Sequence, residues 1–561
     1  MTALLRVGLA GLCVAAVCSA QDAPPKTSYT WEVFRVPAKG EPESIGNEAV
    51  EVTTAEGQRV IASTSTLSLG PQPLELTQRL VVDASGEFVR YSLKSSTHDL
   101  SCERDEAGIV LTGKVMGGDQ RRTLQPEGLL ICLDNLAWSH YDVLGQHAAK
   151  RGQAFGFTAL VPQAMLGIPA RFAPGDEAEV TDGEASRKAR RGRLSAGNLL
   201  VELVYDQGSG RVYEVQVPGQ RLLARRGAWR LASAAPAAPV AALPEGVRER
   251  AVSVPTPGYA PGLPGALTVP AGDGPFPTAL LLSGSGPHDL DETIGPNKPL
   301  RDLAWQLAAG GVASLRVAKR TQVVLERMKA SNGEEQRALS TQLAGMGLEE
   351  EYLEDAQAAL AFLRAQEEVD PAAIALVGHS LGALLAPEIA RAGEVQAVVL
   401  LAGPGRRLDA VLADQVLAGQ LRLGKTPAEA EAATREILAP VAGLAEADVA
   451  PEGRFMGASL AYWKDVFARD PVHATRELAV PVCVVWGERD AQVTLPDFEA
   501  LKGVVLARVN RKDGMLRFPG LNHLFMPCDE GAAGEEYMIP GRVAPQVGPS
   551  VARWIRDALA E

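Results

Sequence analysis

Five residues, Gly378-His379-Ser380-Leu381-Gly382, constrain this chain more than any other stretch, because of what stands on either side of them. Ala373 to Val377 before them is a short apolar run that reads as a buried strand, and Leu381 to Ala392 after them carries apolar residues at helical spacing. A serine held in a tight turn between strand and helix needs neighbours without side chains, so that the backbone can adopt the turn and pack closely. The pattern alone is weak evidence. Together with its flanking strand and helix it predicts that Ser380 stands at the end of a sheet as a nucleophile.

A serine hydroxyl is a poor nucleophile at neutral pH and needs a histidine oriented by a carboxylate, and in a strand-turn-helix setting the chain order is Ser, then Asp or Glu, then His. Only His473 and His523 follow Ser380. Of these, only His523 follows the apolar run Val480 to Trp486, at whose C-terminal end the acid belongs. Glu488 and Asp490, in Gly487-Glu488-Arg489-Asp490, are the acid candidates, and Asp490 is preferred. Ser380, Asp490 and His523 form the expected triad.

At 561 residues the chain is too long for one ordinary core, so two or three domains are expected. Residues 27–230 are dominated by short alternating runs, such as Leu74 to Val82, Val89 to Leu93 and Leu199 to Tyr205, and read as a mostly β domain. Residues 231–246 are small, uncharged and Pro-rich over most of their length, which suits an extended spacer. Over residues 247–561 short apolar runs alternate with helical ones, the signature of a parallel sheet covered by crossover helices. The strands Thr278 to Leu282, Val312 to Val317, Val395 to Leu401 and Val480 to Trp486 alternate with helices Leu300 to Ala309, Glu351 to Gln366 and Val551 to Leu559. Residues 404–470 are Ala-, Leu- and Glu-rich and read as a helical cap inserted over that sheet.

A net charge of -13 and pI near 5.3 repel phosphate backbones, so nucleic acid is not an expected partner. His98, His140 and His147 show no metal-ligand spacing, and no metal or organic cofactor is implied. Residues 1–20 carry Arg6, an apolar run from Val7 to Val17 and the end Cys18-Ser19-Ala20, which reads as a cleaved leader for export to the periplasm or medium. Four cysteines remain after its removal; Cys102 and Cys132 have the opportunity to pair, and Cys483 is expected as a buried thiol.

The stretch Leu281 to Pro299, Leu-Leu-Ser-Gly-Ser-Gly-Pro-His-Asp-Leu-Asp-Glu-Thr-Ile-Gly-Pro-Asn-Lys-Pro, stands with the Ser380 turn, Gly487 to Val493 and Leu521-Asn522-His523-Leu524-Phe525. In these motifs, spread over most of residues 250–561, the sequence is similar to bacterial α/β-hydrolases related to dienelactone hydrolases and to acyl-ester and acyl-CoA thioester hydrolases. The resemblance implies an α/β-hydrolase fold and cleavage of carboxylic esters, small acyl esters in particular, through an acyl-enzyme on Ser380. It also implies oxyanion donors at the backbone N–H groups of Ser285 and Leu381. Leu290 stands where the family usually has Arg, and Ala491 where it usually has an aromatic residue, which bears on the pocket rather than the triad. Tyr462 and Trp463 in the cap are the aromatics expected to line the substrate pocket, their alternative role being to pack the cap onto the sheet. Two other readings stand beside the esterase: an exported aminopeptidase with the same triad, and a binding protein whose hydrolase domain is vestigial.

Overall fold

The computed structural model describes residues 26–37, 41–69, 72–106, 108–115, 118–126, 128–196, 199–232, 242–422, 425–449, 452–529 and 534–560. The expected leader, residues 1–20, and the centre of the expected spacer, residues 233–241, lie outside the described residues. Among the described residues no helix is long and apolar enough to cross a membrane. The chain divides into two compact units, Met1–Ser233 and Ala234–Glu561.

The first unit is built on one 16-stranded sheet. Eight antiparallel strands run in sequence from Lys26–Arg35 to Gly118–Leu124, a second series runs from Leu130–Cys132 to Leu222–Arg226, and the last strand of the second pairs with the first of the chain. Period-two alternation explains the pleat: Leu74–Asp83 buries Leu76, Gln78 and Leu80 while Glu75, Thr77 and Arg79 face water. A helix, Tyr141–Arg151, was not foreseen. Its buried face mixes Val143 and Leu144 with Asp142 and His147, so apolar periodicity does not mark it. Asp142 instead accepts from Tyr29 Oη at 2.6 Å, the Val212 N–H at 3.0 Å and Arg226 Nη1 at 2.8 Å, tying the helix to distant strands. Cys102 and Cys132 are both buried free thiols.

The second unit carries eight strands: β1 (Arg248–Thr256), β2 (Tyr259–Val269), β3 (Phe276–Leu282), β4 (Ala313–Val317), β5 (Val369–His379), β6 (Ala397–Leu401), β7 (Val482–Gly487) and β8 (Gly514–Phe518). Their order in the sheet is β1-β2-β4-β3-β5-β6-β7-β8, parallel from β4 onward. The helices of eight residues or more are α1 (Pro299–Ala309), α2 (Arg320–Ala330), α3 (Gly333–Gly345), α4 (Asp355–Arg364), α5 (Leu381–Gly393), α6 (Leu408–Arg422), α7 (Pro427–Leu438), α8 (Leu460–Phe467), α9 (Leu495–Ala507) and α10 (Val547–Leu559), with a shorter one at Pro471–Arg476. On one face Leu376, Val398 and Val484 pack against α4, α5 and α9; on the other Val377, Val399 and Val485 pack against α1 and α10. Strands covered on both faces have no polar side, which is why they read as continuous apolar runs.

Two elements are more varied than the sequence pattern alone suggests. The insert over residues 404–470 holds α6, α7 and α8 but also a two-stranded hairpin, Arg454–Phe455 with Ala458–Ser459, so it is not wholly helical. The helix expected from Glu351 opens as a π-helical turn over Glu349–Glu354 that buries Glu351 and Tyr352. The pair α2 and α3 was not anticipated, because Val324 and Leu339 are its only buried apolar residues. Since the second unit holds its own two-faced core, a chain trimmed to residues 242–561 should give a soluble product with one cooperative thermal transition. An insoluble product would mean that the first unit completes that core.

Candidate active site

Ser380 follows the last residue of β5 and precedes the first of α5, with φ 54° and ψ -116°, outside the regions that residues with a side chain favour. The turn is fastened by the Ser380 N–H donating to Leu401 O of β6 at 2.9 Å, while Ser380 O accepts from the Ala383 and Leu384 N–H groups. The two glycines are required by space. A Cβ on Gly382 would lie 2.7 Å from both Leu282 O and Ser283 O, and one on Gly378 would lie 2.3 Å from Gly382 O.

Asp490 stands in the turn after β7 and His523 in the loop after β8. His523 Nδ1 is 2.8 Å from Asp490 Oδ2, with both side chains buried. The other carboxylate oxygen accepts from the Gln492 and Val493 N–H groups at 2.8 and 2.9 Å, which orients the acid. Asn522 Oδ1 accepts from the Leu524 and Met526 N–H groups, each at 3.0 Å, and so shapes the loop that presents His523. Glu488, the other acid candidate, points to Arg517 at 2.7 Å. The preference for Asp490 therefore has a geometric counterpart: it is the carboxylate that meets the histidine.

A second acid–histidine pair lies beside the first, and the sequence reading missed it. His379 Nδ1 meets Glu292 Oε1 at 2.9 Å and His379 Nε2 meets His523 O at 3.0 Å. The His523 carbonyl only accepts, so Nε2 donates to it, and while Glu292 is ionised Nδ1 donates as well, which makes His379 an imidazolium in that pair. Burial alone would push the Glu292 carboxyl up, but the charge and hydrogen bond of His379, with His288 and the Gly284 N–H, bring it down to about 2. Burial alone would push His379 down, and Glu292 raises it above its ordinary value. The pair thus anchors the backbone of His523 from below. Glu292 was within a quoted motif, but nothing local in the sequence reports that it meets a histidine 87 positions away.

Ser285 and Leu381 line a common cavity of about 440 Å³. Leu381 is the first residue of α5, so its N–H has no partner within the helix. Other walls come from Leu325 and Leu343 of the unforeseen helical pair with Met346 just after it, and from Met456, Tyr462 and Trp463 of the insert. Tyr462 Oη donates to Glu351 Oε2 at 3.1 Å and Trp463 Nε1 to Phe455 O at 2.7 Å, so these aromatics line the cavity and also pack the insert. The structure thus brings the expected site residues into two adjoining groups, Asp490 with His523 and Ser285 with Leu381, Tyr462 and Trp463, with Ser380 in the turn that links them.

A largely parallel sheet of this order, with a serine in the turn after β5 and an Asp–His pair at the exits of its last two strands, β7 and β8, defines a hydrolase of the α/β type. The profile of a family described as Alpha/beta hydrolase family matches residues 312–534. Esterase EstD from Thermotoga maritima is 36% identical over 313 residues, 56% of this chain and 68% of that protein. The chain belongs to the alpha/beta hydrolase family. Among solved structures, Est1E from Butyrivibrio proteoclasticus is 15% identical with a TM-score of 0.36, over 55% of this chain and 99% of its own. A dienelactone hydrolase from Anabaena variabilis is 18% identical with a TM-score of 0.30, over 56% of this chain and 100% of its own.

The buried Glu292–His379 pair makes stability depend on pH with a definite sign. Glu292, lowered from 4.5 to about 2, contributes stability that is present above 4.5 and lost as pH falls toward 2. His379, raised above 6.5, contributes stability that is present below 6.5 and lost as pH rises through its raised value. Glu292→Gln should cost about 3 kcal/mol near neutral pH, because it strands a buried cation. In urea unfolding followed from about pH 5 down to about pH 2, the gap to the native chain should close; a constant gap would show that the carboxylate charge is not what stabilises the pair.

Proposed function

We propose that the chain is a serine carboxylesterase working through an acyl-enzyme on Ser380. The observation that carries this reading is the buried 2.8 Å bond between Asp490 and His523, next to a serine held at φ 54° in a strand-to-helix turn. His523 Nε2 takes the Ser380 proton as Oγ attacks the ester carbonyl. The oxyanion that forms is held by the N–H groups of Ser285 and Leu381, each such donor contributing about 10²–10³-fold in rate. The C–O bond to the alcohol breaks, and the alcohol leaves with the proton from His523. Water, deprotonated by the same histidine, then attacks the acyl carbon, and collapse of the second intermediate returns the proton to Ser380 and frees the acid.

The substrates we infer are neutral esters of small acyl groups. The apolar cavity walls favour a short hydrocarbon chain over an acyl group that ends in a carboxylate. A peptidase of this kind needs a free acid to anchor the substrate amino group. Glu351 does not suit that role, since its oxygens accept from Thr321 Oγ1 at 2.6 Å and Tyr462 Oη at 3.1 Å and Lys319 Nζ lies 3.8 Å away. Glu429 is engaged elsewhere, receiving the Thr426 N–H at 2.9 Å in the cap of α7. We also infer export on the leader-like residues 1–20, which N-terminal sequencing of the secreted chain would test by a start at Gln21.

Asp490→Asn should lower kcat on p-nitrophenyl butyrate by about 10⁴-fold, while Glu488→Gln stays near the native rate. The reverse pattern would put the acid at the wrong residue. In a panel of p-nitrophenyl esters and aminoacyl anilides, acetate to hexanoate should give the highest kcat/KM, with hemisuccinate poor. Anilide turnover equal to that of the best ester would move the chain to the peptidases.

A further inference from the structure

The Ser285 N–H belongs to the Gly284–Ser285 peptide, and in a trans peptide the C=O and N–H point in opposite directions. Whatever fixes the Gly284 carbonyl therefore aims the Ser285 N–H. Two buried side chains fix it. Lys319, just beyond β4, donates from Nζ to Gly284 O at 2.7 Å and to Gly286 O at 2.9 Å, and its third proton goes to Tyr352 Oη. Tyr352 in turn donates to Gly284 O at 2.5 Å. All three ammonium donors are thereby used, two of them on carbonyls that flank Ser285. The rest of the turn is equally committed: His288 Nε2 donates to Ser285 O at 2.7 Å, and the Gly284 N–H donates to Glu292 Oε1 at 2.6 Å. Among the described residues, no acceptor takes the Ser285 N–H.

We propose that Lys319 and Tyr352 are positioning residues of the oxyanion site, which aim the Ser285 N–H at the acyl oxygen and polarise it for donation. A cation on the carbonyl end of an amide draws electron density toward the oxygen and strengthens the N–H as a donor. Neither residue touches the substrate in this scheme; they act through the Gly284–Ser285 peptide. Burial disfavours the Lys319 ammonium, and Glu351 at 3.8 Å supplies the balancing charge. A lysine that only filled space would be better replaced by an apolar side chain. The proposal rests on the serine-esterase reading given above.

Lys319→Met and Tyr352→Phe in the full chain test it, with p-nitrophenyl butyrate as substrate and a butyl trifluoromethyl ketone as tetrahedral analogue. Lys319→Met should lower kcat by about 10²-fold and Tyr352→Phe by about tenfold, with KM within about threefold of native. The analogue should lose affinity by the same factors, whereas butyrate as a product inhibitor should not. A merely structural lysine would lower thermal stability without this matched loss, and that result would overturn the proposal. So would native kcat in both variants. If Lys319→Met is insoluble, Tyr352→Phe decides by the same readings. Ser380→Ala run alongside separates the two levels: an inactive Ser380→Ala with unaffected Lys319 and Tyr352 variants removes only the positioning role, while an active one removes the esterase reading itself.

Discussion

The turn at Ser380 is the constraint on which the rest of the second unit depends. A side-chain-bearing residue at φ 54° and ψ -116° costs about 1–3 kcal/mol and persists only where its surroundings over-determine it. Here they do so through β5 and β6. Every residue of β6 is buried, and its last residue, Leu401, accepts the Ser380 N–H. A Cβ on Gly378 would strike Gly382, and one on Gly382 would strike the end of β3 and Ser283, so the turn holds its course only with glycine at both positions. The strain is thus held by burial of the central strands, and it leaves the hydroxyl at the C-terminal edge of the sheet, where the loops after β3, β7 and β8 also emerge.

Those loops are ordered by buried charge as well as by apolar packing such as that of Leu521 and Phe525. Glu292 joins the Gly284 turn to His379, and His379 joins the Ser380 turn to the loop of His523. Asp291, next to Glu292, meets the fully buried Arg316 at 2.6 Å and Lys298 at 2.7 Å. Asn297 reaches across to Tyr537 O and the Gly541 N–H. A pair of buried opposite charges gains little net stability over an apolar pair of the same shape, yet breaking one is severe. Such pairs therefore act chiefly to define one arrangement of the loops, which is what a site with several separately anchored groups requires.

This division explains what the sequence discloses. The strands of the sheet, the serine turn and the order of Ser380, Asp490 and His523 are legible because they rest on local periodicity and on spacing along the chain. Glu292, Lys319 and Tyr352 are not, because each is defined by a partner far away in sequence: Tyr352 meets Gly284 O across 68 positions and Glu292 meets His379 across 87. The helical pair α2 and α3 escaped for a different reason. It is mostly solvent-facing, so its few buried residues give no apolar stripe, although Leu325, Leu343 and Met346 wall the cavity. In the first unit the alternation of strands was plain, whereas the helix Tyr141–Arg151, held by Asp142 to three strand partners, carried no periodic signal.

The first unit meets the same rule about buried polar groups in another way. Glu48 is fully buried, and burial pushes its carboxyl up to about 7 against the hydrogen bonds of Ser139, so much of it is protonated near neutral pH, where Glu292, brought down to about 2, is ionised. The difference follows from the partners. Glu48 receives the Ser139 N–H at 3.0 Å and Ser139 Oγ at 2.7 Å, both neutral dipoles, whereas Glu292 faces an imidazolium. A neutral carboxyl is a tolerable element of a β core that has only to stay folded. A charged one is worth its desolvation only where it holds something in place, and Glu292, ionised beside His379, sits beneath the catalytic candidates.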